Sequence, residues 1–496
     1  MRLHNTPPLT TRTALSERKY FYEILLAIFA FVFLTILSRA SSVLNIASGY
    51  DESIFKLFGM AIAKGHIPYL EYVDRKGPYL FFINAIPYIT HTYRFGLFFL
   101  QFACMYITTF LIFKAITTIT TKARSIAAIA IMYLFYCIFY ADGGQCEEYE
   151  IVFITLSLYL CYSFVRQNKS PAEHPFCYTF IYGLSFSIIA FIRLNDTATI
   201  CGIVLAFAYL LIREKKIGLL FKHIGVFFAG MIFATLPVLI YYGKNHALND
   251  MIYWSFIEGF SYNSKNFDGY VKAYSGRLFQ CIPLFFTAYM ARKNDKQKGT
   301  YFFPIAITIT VLLYLTIGSN NFDHYFSLLM PFYAAAIAYF LSAKNFLVLC
   351  ILFCHYFPPK YHNGFSNRGG FLLIAEQAAQ DIFSHQKLAA FNKELQEMYR
   401  AVPKSEQNRI FAYNISHGMG FYTVNNVLPP NKGFVFTGNF EDEFEKTKDT
   451  MQYVLYQTDK DWNDTGEPLL DGYTELARAK GLKHLHGYTL HLLKKD

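Results

Sequence analysis

The sequence predicts an all-α polytopic membrane domain followed by a small soluble α/β domain. Three observations lead there. The chain of 496 residues is 54% hydrophobic, 19% aromatic and 16% charged, an unusual balance for soluble domains. Long, nearly charge-free runs recur between Tyr20 and Pro358, several near the roughly 17–25 residues that cross a hydrocarbon core. Basic residues gather at alternate ends of those runs.

The first run, about 20–39, follows Arg12, Arg18 and Lys19 and has no clean small-residue cleavage site after it, so it reads as a retained helix. Further spans fall near 96–113, 126–141, 150–165, 176–192, 198–212, 223–242, 277–291, 300–317, 326–343 and 346–358, about eleven helices in all. The clusters Lys114/Lys122/Arg124, Arg166/Lys169, Arg213/Lys215/Lys216/Lys222 and Arg292/Lys293/Lys296/Lys298 mark every second loop as cytoplasmic. The net charge of +10 therefore reports topology, not a nucleic-acid partner. This threading expects a multi-pass protein of the cytoplasmic (inner) membrane, with the N-terminus inside and the tail outside.

The expected organisation is a membrane domain over 1–358, with a long first outer loop at 40–95, and an extracytoplasmic domain over 359–496. In the tail, a polar helical stretch at about 371–402 precedes the strand-like runs RIFAYN, GFVFTG, MQYVLYQ and YTLHLL, with TELARAKG reading as helix between the last two. That alternation suggests a parallel or mixed sheet. His484, His486 and His491 invite a metal reading, but no acidic cluster or ligand spacing supports it. The nine cysteines lie mostly in or beside apolar runs, and none follows Cys354; no disulfide framework is expected.

The inner loops are short and basic, whereas the outer ones hold acids, amides and aromatics: ADGGQCEEYE at 141–150, RLND at 193–196 and SNNFDHYF at 319–326. Chemistry is therefore expected on the outer face. In the first outer loop, Asp51 and Glu52 open an amphipathic run, Ile54 to Ile62, that can lie on the membrane surface with Lys56 and Lys64 toward headgroups. Both acids are adequate helix caps. Capping leaves Asp74, Arg75 and Lys76, closed by Gly77-Pro78, unexplained.

The order of Asp51-Glu52, an amphipathic helix, Gly65-His66-Ile67-Pro68-Tyr69 and Lys76-Gly77-Pro78 resembles the first outer loop of bacterial GT-C glycosyltransferases of the protein O-mannosyltransferase and aminoarabinose transferase group. Gly143-Gly144 with Glu147-Glu148-Tyr149, and His324-Tyr325 with Pro331, add weaker matches over about 20–345. The resemblance implies a GT-C-like fold and a polyprenyl-phosphate sugar donor. It also implies attack by an acceptor hydroxyl of a glycan, lipid or protein on the outer face. It makes Asp51 the base, with Glu52 assisting or only capping, and Lys76 the holder of the donor phosphate. By its own place after a long apolar run, Arg193 would give a second phosphate contact, or else snorkel to the interface or pair with Asp196. Tyr69, Asp74, Glu147, Glu148, Tyr149, Asp323 and His324 would line an acceptor or substrate cavity, against the plainer reading of solvated loop ends. No cofactor is expected, and a divalent cation at Asp51 and Glu52 is left open. The runner-up functions are a lipid-linked oligosaccharide flippase or other transporter, for which no internal repeat is visible, and a glycan polymerase or ligase.

Overall fold

The computed structural model describes residues 20–38, 51–139, 143–258, 278–317, 323–342, 385–413, 415, 419–430, 449–458, 469–480 and 488–496. The helices needed below are α1 (Phe21–Leu37), α2 (Asp51–Ala63), α3 (Pro78–Ile89), α4 (Tyr93–Ile116), α5 (Lys122–Phe139), α6 (Cys146–Val165), α7 (Phe176–Arg193), α8 (Ala198–Arg213) and α9 (Ile217–Lys244). They continue with α10 (Ile282–Asn294), α11 (Lys296–Ile317), α12 (Met330–Ser342), α13 (His385–Arg400) and α14 (Gly420–Asn425). Among the described residues, five stretches are long and apolar enough to cross a bilayer: Tyr93–Ile116, Cys146–Val165, Phe176–Arg213, Ile217–Lys244 and His324–Ser342. Phe21–Leu37, Pro78–Ile89 and Lys298–Leu313 are shorter apolar helices. The span expected at 346–358 lies outside the described residues.

The membrane helices bury one continuous apolar core, with Leu26, Ile112, Met132, Ile154, Ile203 and Ile305 at its centre. Their outer faces leave large side chains such as Phe99, Phe221, Ile232 and Phe233 exposed, as lipid requires. Helix α7 packs closely on α9 because glycine removes the obstruction on each. A Cβ on Gly183 would lie 1.9 Å from the Phe227 carbonyl oxygen, and one on Gly230 would lie 2.1 Å from that of Phe180. Small residues at such a crossing let two backbones approach, and the gain is close packing.

The 40–95 segment, expected as the first outer loop, departs from expectation in two ways. Residues 78–89, expected within the 40–95 loop, form a helix, α3; at 12 residues with an internal Pro87 it is too short to register as a span. Helix α2, in turn, does not lie on a membrane surface. Ile54, Phe55, Leu57, Phe58, Met60 and Ala61 are all buried, with Phe58 stacked on Phe81 of α3 at 4.1 Å. A Cβ on Gly59 would meet the Asn84 carbonyl oxygen at 2.3 Å. The far side is covered by the tail: Lys64, expected to reach headgroups, donates from Nζ to the Asn426 carbonyl (2.7 Å), and the Tyr72 hydroxyl donates to that of Pro429 (3.1 Å). One apolar cluster runs from Ile54 and Tyr69 through Phe391 and Leu395 to Leu455 and Leu492. Both faces of α2 are thus apolar enough to be buried, and tertiary cover overrides the amphipathic pattern.

The tail carries a four-stranded sheet of order β1-β2-β4-β3, with β1 (Ile410–Tyr413), β2 (Tyr453–Thr458), β3 (Tyr473–Lys480) and β4 (Thr489–Lys495). Strands β1 and β2 are parallel and the other pairs antiparallel, the mixed sheet anticipated. GFVFTG lies outside the described residues. TELARAKG is a correction: most of it is β3, an edge strand with a register shift between Glu475 and Ala477. Its charged, helix-favouring residues suit an exposed edge, and pairing with β4 outweighs propensity. His491 is fully buried, hydrogen bonded to Thr458 (2.9 Å) and Glu475 (3.0 Å). It is a satisfied core histidine. His484 and His486 lie outside the described residues.

Candidate active site

The Asp-Arg-Lys-Gly-Pro loop is held from within and by neighbouring segments. Asp74 Oδ1 accepts the Lys76 backbone N–H (2.9 Å). The Tyr69 hydroxyl donates to the Lys76 carbonyl (2.6 Å), from a fully buried residue in the left-handed region at φ 69°. Arg75 pairs with Glu258 (3.0 Å). The Gly77 N–H donates to the Ile192 carbonyl (2.8 Å), at the end of α7. Gly77 is required by proximity, since a Cβ there would lie 2.1 Å from the Phe191 carbonyl oxygen. Backbone cannot retreat as a side chain can, so Gly77→Ala is expected to destabilise by at least about 1–3 kcal/mol, read as a lowered melting temperature in detergent. An unchanged melting temperature would disprove the docking.

That contact brings Lys76 beside the end of α7, where Arg193 stands. Arg193 Nε donates to Asp196 Oδ2 (2.6 Å), its Nη2 meets Glu147 Oε1, and its guanidinium lies 4.4 Å from the Tyr325 ring centre. The chain breaks between α7 and α8 at this point, Leu194–Thr197 forming a 3-10 turn, which returns Asp196 toward the arginine. Glu147 also lies 3.8 Å from His324 Nε2. The pairing with Asp196 that the sequence allowed is thus present, with Glu147 as a second carboxylate.

Glycines at positive φ, Gly143 at 86° and Gly144 at 75°, turn the chain into α6, and Gln145 caps that helix. Glu148 completes the capping box and accepts from Gln101 Nε2 (2.8 Å). Its carboxylate faces structure and not solvent. Tyr149 is buried beside Cys146 and Ile192. Asp323 begins the 3-10 turn Asp323–Leu329, and its side chain is not among those described.

Asp51 opens α2, half-buried, with Glu52 buried next to it. Burial works against a charged Lys76, but the Asp74 and Asp51 carboxylates overcome it and hold the ammonium's pKa above its ordinary value. Its Nζ lies 5.6 Å from the Phe55 ring centre. Burial raises the Asp74 carboxyl, with Lys76 opposing the rise. Burial pushes Lys56 down to about 8, with Glu52 opposing. Between pH 8 and the ordinary lysine value of 10.5 the unfolded chain therefore holds a proton that the folded one has released, so this group makes stability rise with pH across that window. Lys56→Met is expected to remove the rise and to raise the melting temperature at pH 7. Parallel curves for the two proteins from pH 7 to 10 would contradict it.

Asp51, Asp74, Lys76, Glu147, Arg193 and His324 thus gather at one end of the helices, whereas Glu148 and Tyr69 act as braces. Sequence reasoning missed Gln101 and Glu150. The Glu150 carboxyl is fully buried beside Asp196, and its signal was spacing: Glu147 and Glu150 are one turn apart on one face of α6. Among the described residues no group of three or more His, Cys, Asp or Glu side chains stands close enough to hold a metal ion. Two cations beside several carboxylates, under a half-buried loop, can hold an anionic leaving group while a carboxylate accepts a proton.

No protein-family model and no curated protein sequence matches this chain. Solved structures do match. ArnT from Cupriavidus metallidurans bound to undecaprenyl phosphate shares 12% identity at a TM-score of 0.58, over 96% of this chain and 98% of that one. The apo form of the same protein gives 11%, 0.57, 97% and 98%. At such identities the likeness is one of fold, and over nearly its whole length this chain has the GT-C fold of ArnT.

Proposed function

We propose that the protein is an integral-membrane glycosyltransferase that moves a sugar from a polyprenyl-phosphate donor to an acceptor hydroxyl of a glycan, lipid or protein. The carrying observation is the convergence of Asp51, Asp74 and the charged Lys76 beside the Arg193–Glu147–Asp196 cluster. ArnT, of the same fold, has been crystallised with undecaprenyl phosphate. In this reading the acceptor oxygen attacks the anomeric carbon and Asp51 takes its proton, with Glu52 supporting the helix start. The bond from the anomeric carbon to the phosphate oxygen breaks, and its electron pair leaves with the polyprenyl phosphate. Lys76 stabilises that charge as it develops, in a site where its own charge is already fixed. Arg193, whose charge is shared by two carboxylates, gives the second phosphate contact. Glu147 and His324 border the acceptor side, with Tyr149 and Asp323 near them. The membrane part is taken as 1–358 and the outer domain as 359–496, in the cytoplasmic membrane with the N-terminus inside.

The test is reconstitution in liposomes with a radiolabelled lipid-linked monosaccharide and an extract of acceptor glycans and lipids. Label passing to a new product supports the transferase. Movement of the intact lipid between leaflets without transfer would replace it with a transporter, and transfer only of preassembled oligosaccharide would make it a ligase or polymerase.

A further inference from the structure

Helix α7 carries Arg193 at one end; at the other, about 25 Å away by helix rise, it borders a cavity of about 370 Å³ between α7, α8 and α9. Most of its wall is apolar, including Val204, Phe207, Leu211 and Phe227, but His174, Thr179, Tyr182 and His223 also face it. His223 is 6% exposed, and its Nε2 has no hydrogen-bond partner. A buried polar atom of this kind in a cavity wall points to an absent partner.

Proton counting says which partner. Thr179 Oγ1 lies 2.8 Å from His223 Nδ1 and 3.3 Å from His174 Nδ1, and the Tyr182 hydroxyl lies 3.4 Å from His174 Nε2. Burial, with His223 beside it, pushes the His174 imidazole down to about 3, so that ring is neutral and carries one N–H. A threonine hydroxyl has one proton and must donate to one ring and accept from the other. If Tyr182 donates to His174 Nε2, then His174 Nδ1 donates to Thr179 and Thr179 to His223 Nδ1. Every hydroxyl proton is then used, leaving a single N–H at His223 Nε2. The reverse order strands both the Tyr182 proton and an Nε2 lone pair. The cavity therefore offers a hydrogen-bond donor in an apolar wall.

The surroundings choose the occupant. Leu205, Ile224 and Phe228 line the cavity and are also exposed on the molecule's apolar flank, so the space borders the lipid phase. The end of α8, the turn after it and the first turns of α9 supply exposed Arg213, Lys215, Lys216 and Lys222, while the acid among them, Glu214, accepts from the Ser170 hydroxyl at 3.0 Å. A basic rim over an apolar slot between helices suits an anionic lipid headgroup. We infer that this cavity is a binding site for an anionic glycerophospholipid of the bilayer: one acyl chain lies in the slot, an ester or phosphate oxygen accepts from His223 Nε2–H, and the headgroup sits on Lys215 and Lys216. It is separate from the proposed catalytic centre and does not depend on that reading.

The test is native mass spectrometry of the full chain, delipidated in detergent and titrated with phosphatidylglycerol, phosphatidylcholine or inorganic phosphate. One phosphatidylglycerol should be retained at least tenfold more tightly than phosphatidylcholine. Ala208→Phe, which fills the slot, and His223→Leu should each weaken it at least fivefold, and His223→Gln, which restores an N–H donor, should recover most of the loss. Lys215→Gln/Lys216→Gln, a change confined to exposed side chains, should bring phosphatidylglycerol to the phosphatidylcholine level. Equal retention by wild type and the lysine variant would overturn the proposal. Displacement of lipid by millimolar inorganic phosphate would overturn it in favour of a simple anion site.

Discussion

Asp51→Asn is expected to lower sugar transfer by about 10²–10⁴-fold, the range a positioned general base contributes, with little change in melting temperature. The asparagine is isosteric with the aspartate it replaces at the start of α2. It forfeits only the favourable carboxylate interaction with the helix N-terminus, about 0.3–1 kcal/mol. What it cannot do is accept the proton of an attacking hydroxyl. The measurement is single-turnover transfer from a labelled lipid-linked sugar, with donor binding followed separately so that chemistry and affinity are distinguished. Glu52→Gln, one residue along and buried, serves as the comparison: if it abolishes transfer while Asp51→Asn retains full activity, the base has been assigned to the wrong acid.

The second large effect is at Lys76. Lys76→Gln should reduce transfer by about 10²–10³-fold, the typical loss on removing one group that stabilises developing negative charge. Because Asp74 and Asp51 raise its pKa above the ordinary lysine value, the ammonium stays charged throughout the neutral range. Any loss of activity between pH 7 and 9 must then come from another group. The substitution also removes the positive charge that opposes the burial of Asp74, which is 2% exposed, while the backbone N–H that Asp74 accepts is kept, so a lowered melting temperature is expected beside the loss of transfer. Catalytic and structural roles separate in the double variant: Asp74→Asn/Lys76→Gln should regain much of the lost melting temperature while transfer stays low. Recovery of both together would reduce Lys76 to a structural partner of Asp74.

Parts of this arrangement were legible in the residues and parts were not. The polar loops announced themselves by composition, since acids and amides against lipid-length apolar runs need an aqueous or paired setting. The Arg193–Asp196 pair was readable from its spacing of three. The contact of Gly77 with Phe191 and Ile192 was not, because it joins backbone segments more than a hundred residues apart and only the third dimension records the distance. Helix α3 hid in the first loop for want of length. The β3 strand hid behind helix-favouring residues, and its structure is imposed by hydrogen bonding to β4.

Sequence by itself determined that this is a multi-helix membrane protein with its polar residues gathered at the loop ends: hydropathy and charge bias are one-dimensional signals, written residue by residue. Tertiary structure alone decided that α2 is a buried element clamped between α3 and the tail, and that Lys76 stands beside Arg193 with two carboxylates keeping it charged. It also set His223, its Nε2 without a hydrogen-bond partner, in the wall of a largely apolar slot at the far end of α7. These are consequences of close packing and proximity, which depend on which distant segments meet, and no local pattern encodes that.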